Sequence, residues 1–86
     1  PHHPFNPPAE LLQRYLDRLD EIPLPNWTPG ELDGKTREQR HQHGNEKPNM
    51  KVAYPWTKMG PRDHRLLRAA YWAMCDSIDI QVGRML

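Results

Sequence analysis

Pro61-Arg62-Asp63-His64-Arg65-Leu66-Leu67-Arg68-Ala69-Ala70-Tyr71-Trp72-Ala73-Met74-Cys75-Asp76-Ser77-Ile78-Asp79-Ile80-Gln81-Val82-Gly83-Arg84-Met85-Leu86 is the stretch that decides the fold. Within it Leu67, Ala70, Tyr71, Met74, Ile78, Val82 and Met85 recur at three- and four-residue steps, the spacing of one face of an α-helix. The pattern predicts a helix over 61–86. Leu66, Trp72, Ala73 and Cys75 widen the apolar surface beyond one stripe, which suits a helix covered on more than one side in a larger protein.

Upstream, Leu11, Leu12, Tyr15, Leu16, Leu19 and Ile22 repeat the same spacing, with Gln13, Arg14, Asp17, Arg18, Asp20 and Glu21 between them. This predicts an amphipathic helix over 7–22, with Asn6 as its cap and Pro7-Pro8 in the first turn, where a missing N–H costs nothing. Pro23 and Pro25 then stop it. Between the two helices, residues 23–60 hold five prolines and four glycines, and the run from Asp33 to Lys47 is almost without apolar residues. No regular core element is expected there, and the segment reads as a long variable loop on the surface. Its apolar islands, Pro25-Asn26-Trp27 and Val52-Ala53-Tyr54-Pro55-Trp56, are expected to dock on neighbouring structure. There is no internal repeat and no strand pattern.

Composition narrows the function classes. An apolar share of 36% and ten prolines leave little core material for 86 residues, and one cysteine, Cys75, cannot form an internal disulfide. Twelve basic residues against eleven acidic give a net charge of +1, so no global field draws in nucleic acid. No apolar run approaches the ~20 residues that span a bilayer. The chain starts on Pro1-His2-His3-Pro4 without methionine or signal-like segment and stops on Met85-Leu86 without a cap, so an internal piece of a longer protein is expected.

Few residues are equipped for chemistry. His2 stands between Pro1 and the His3-Pro4 pair, whose restricted backbone would hold an imidazole in a fixed direction. An imidazole so held can donate to an anionic oxygen or protonate a leaving group near neutral pH. His41 and His43 form a His-x-His pair, but the surrounding Arg37, Gln39, Arg40, Gln42, Asn45 and Lys47 supply no further ligand, and a solvated loop is expected. Cys75 lies in no nucleophile motif and reads as a small helical hydrophobe. Asp76 and Asp79, three apart on one helical face, are expected to be solvated or salt-bridged, and Arg62, Asp63, His64, Arg65 and Arg68 to form a polar face.

Two segments together resemble the sulfatase family of the alkaline phosphatase superfamily. Pro1-His2-His3-Pro4-Phe5-Asn6-Pro7-Pro8 is similar to that family's Pro-His-x-Pro segment followed by a proline-led helix. Arg68 to Leu86 is similar to its helix with a Tyr-x-Ala-Met start, here Tyr71-Trp72-Ala73-Met74, and an Asp-x-x-Val/Ile-Gly-Arg end, here Asp79-Ile80-Gln81-Val82-Gly83-Arg84.

The resemblance implies an α/β parent fold of the alkaline phosphatase type, of which this chain supplies an active-site loop (1–6), two helices (7–22 and 61–86) and a variable loop (23–60). It implies that His2 contacts the sulfate or phosphoryl group and assists leaving-group protonation, with His3 at the motif's variable position. The parent enzyme would hydrolyse a small-molecule sulfate ester, or a related phosphate or phosphonate ester, with a formylglycine nucleophile and a divalent metal such as calcium. Cys75-Asp76-Ser77-Ile78-Asp79 is not the Cys/Ser-x-Pro/Ala-x-Arg setting in which formylglycine forms, and Asp79-Ile80 stands where the family often has two aspartates. Nucleophile and metal ligands are therefore expected in the remainder of the parent domain, and the chain by itself is expected to be inactive. The alternative from a different class is a stand-alone helical protein-interaction module presenting Trp and Met residues.

Overall fold

The computed structural model describes residues 1–2, 4–44 and 59–86, with the backbone alone for 41–44. It divides into two compact units, one formed by Pro1–Leu24 with Pro61–Leu86 and the other by Pro25–Gly60. The described residues are mainly helical and contain no strand.

In the first unit α1 spans Ala9–Leu16, a 3-10 turn spans Leu19–Glu21, and α3 spans Pro61–Met85. The single helix expected over 7–22 is thus two pieces. Asp17 still donates its N–H to the Gln13 carbonyl, but Arg18 donates to Tyr15, three residues back, and leaves helical geometry at φ −126°, ψ 29°. The spacing carries the reason: Leu16, Leu19 and Ile22 are separated by steps of three, and in a 3-10 turn residues three apart eclipse one another. The tighter turn points Leu19 and Ile22 inward, where both are buried.

The start of α1 also differs from expectation. Pro8, not Asn6, occupies the cap position, and no side chain caps the helix. The Pro8 carbonyl accepts from Leu11 and Leu12, while the Asn6 N–H turns back to the Pro4 carbonyl at 3.1 Å. A capping side chain must sit immediately before the first helical residue to reach its orphan N–H groups, and the two prolines displace Asn6 from that place.

α1 packs on α3 around a small cluster of Leu19, Ile22 and Ala69, flanked by half-buried Leu12, Tyr15, Leu16, Leu66 and Trp72. Ala69 and Ala73 are both 0% exposed. The face of α3 turned to α1 is therefore the one marked by its alanines, which let two backbones approach closely. The stripe of larger residues predicted to be the packed face looks outward instead: Leu67, Tyr71, Ile78, Val82 and Met85 are exposed, with Met85 at 83%. Every residue from Ile78 to Leu86 is exposed.

In the second unit, glycines at positive φ, Gly30 at 86° and Gly34 at 78°, shape consecutive turns over residues 29–35. A helix, α2, then spans Arg37–Gly44, inside the run expected to be loop. Its signal is present in the sequence as a capping box: Gln39 donates its N–H to Thr36 Oγ1, and the Thr36 N–H returns to Gln39 Oε1, both at 3.3 Å. Its sequence is polar throughout, and its described side chains, those of residues 37–40, are exposed. Trp27 remains 46% exposed, so the first apolar island is only partly covered, and the second, Val52 to Trp56, lies outside the described residues.

Candidate functional site

Two places gather polar groups in the first unit: the N-terminal proline segment and the seam between α1 and α3. In the N-terminal segment, the Asn6-to-Pro4 hydrogen bond closes a tight bend that presents Phe5 sideways. Its ring meets Tyr71 of α3 edge to face, with centroids 5.7 Å apart and planes at 86°. That is the preferred geometry for two aromatic quadrupoles, contributing about 0.5–1.5 kcal/mol beyond buried area. The contact ties the segment to α3. His2, three residues before Phe5, is exposed, while His3 lies outside the described residues.

At the seam, the Tyr15 hydroxyl donates to Asp76 Oδ2 at 2.6 Å, and its ring lies 5.8 Å from that of Trp72 at 59°. The Arg68 guanidinium stands over Trp72, 5.9 Å from the ring centre. Arg68 also donates to the Pro23 carbonyl at 2.7 Å, and Arg65 Nε donates to the Ile22 carbonyl at 2.9 Å. The expected polar face is here a clamp. Two arginines one turn apart on α3 donate to the carbonyls of the two residues that follow the 3-10 turn, and so fix the chain where it leaves that turn. Arg14, Arg18, Glu21, Trp72 and Asp76 border a shallow cleft of about 460 Å³ there. Arg18 is paired with Glu21, and Tyr15 with Asp76, so its polar groups largely satisfy one another.

Asp76 is thus neither free in solvent nor salt-bridged, as its sequence context suggested, but accepts from a phenol 61 residues away. The hydrogen bond to Asp76 raises the Tyr15 pKa above the ordinary phenol value, with burial and the carboxylate charge adding to it. A raised value in the folded state stabilises the fold fully below pH ~10, and that stabilisation fades as pH rises through the folded pKa. Tyr15→Phe should therefore cost about 1 kcal/mol at pH 8 and abolish this alkaline fade. Amide-exchange protection at Ala69 to Ala73, compared at pH 8 and above pH 10, checks both; equal protection in the two proteins at pH 8 would remove the hydrogen bond from the account.

The described residues do not fit the groups that the family resemblance implies. Among them, no three His, Cys, Asp or Glu residues come together in a way that could hold a metal ion. The imidazoles of His41 and His43 lie outside the described residues, although their backbone is in α2 and not in a loop. Cys75 is a free, half-buried thiol in the middle of α3. No helix of the described residues is long and apolar enough to cross a membrane. Comparison with known protein families, characterised proteins and solved structures yields no match for this chain.

Proposed function

We propose that the chain is part of a sulfatase-like hydrolase of α/β parent fold, to which it contributes His2 as a group acting on the sulfate, phosphate or phosphonate ester. The observation that supports this reading is the Phe5–Tyr71 contact: it joins the two segments that carry the family resemblance, far apart in sequence, through one pair of rings. The outward apolar residues of α3 support it as well, because Leu67, Ile78, Val82 and Met85 are what a helix shows when further layers of a domain cover it.

In this reading His2 donates an N–H to a non-bridging oxygen of the bound ester and gives a proton to the departing alcohol oxygen as its bond to sulfur or phosphorus breaks. Formylglycine would supply the nucleophile in such an enzyme and a divalent metal, calcium by resemblance, the charge that binds the ester. In this reading both belong to the remainder of the parent domain, and no step assigned to this chain runs through them.

A second reading, the stand-alone interaction module, is favoured by one feature: Leu19, Ile22 and Ala69 form a buried cluster using this chain alone. The reading frame around residues 1–86 separates the two. A Cys/Ser-x-Pro/Ala-x-Arg motif encoded upstream and an aspartate-rich metal motif encoded downstream are expected for the hydrolase; start and stop codons bounding these residues would leave the module.

A further inference from the structure

We draw no further inference here: the strongest candidate, the exposed apolar face that Leu67, Ile78, Val82 and Met85 form on α3, carries none because nothing among the described residues shows what covers it.

Discussion

On the proposed hydrolase reading, His2→Ala in the parent polypeptide should lower kcat for ester hydrolysis about 10²–10⁴-fold, the range lost when a positioned proton donor is removed. KM should change much less. The donor acts where charge develops on the departing oxygen, and that charge is larger in the transition state than in the bound ester. The dependence on the leaving group supplies a second readout. Aryl esters with acidic phenols, which depart without a proton, should lose least, and alkyl esters most. Equal losses across leaving groups would show that His2 only binds the ester.

Ile22→Ala should be the most damaging substitution for the fold. Ile22 is 4% exposed, and it sits with Leu19 and Ala69 in the buried cluster between α1 and α3. Truncating such a residue costs about 2–5 kcal/mol through lost burial and the cavity left behind. A unit this small holds only about 0.05–0.15 kcal/mol per residue, so the loss is comparable to its whole stability. Amide exchange over Leu66 to Ala73 should quicken about 30-fold or more, since ~1.4 kcal/mol is a factor of ten. Protection within a factor of two of the parent chain would show that the cluster does not hold the helices together.

Much of α1 was legible from spacing alone: Leu11, Leu12, Tyr15, Leu16, Leu19 and Ile22 are all buried or half-buried, as their stripe predicts. What spacing did not convey was the break after Leu16, since steps of three satisfy an α-helical stripe and a 3-10 turn alike. The span of α3 was equally plain, but its packed face was not. A hydrophobic pattern weights large side chains, whereas close approach of two helices selects small ones, and here Ala69 and Ala73 face α1 while Leu67 and Ile78 face out.

The site shows a similar division. The capping box at Thr36 and Gln39 was present in the sequence for α2. Phe5–Tyr71 and Tyr15–Asp76 were not visible, because each joins residues more than 60 positions apart that become neighbours only when α1 lies on α3. Arg65 and Arg68 looked like solvated charge for a related reason. Their acceptors are backbone carbonyls, which leave no mark in a sequence.

Aryl sulfate hydrolysis by the 86-residue chain and by the longer polypeptide, assayed side by side, tests the central claim most directly. Turnover by the longer polypeptide alone, lowered in it about 10²-fold or more by His2→Ala, is the predicted result. Turnover by the 86-residue chain above its own His2→Ala control, or none by the longer polypeptide, would contradict the assignment of this chain as one piece of a hydrolase active site.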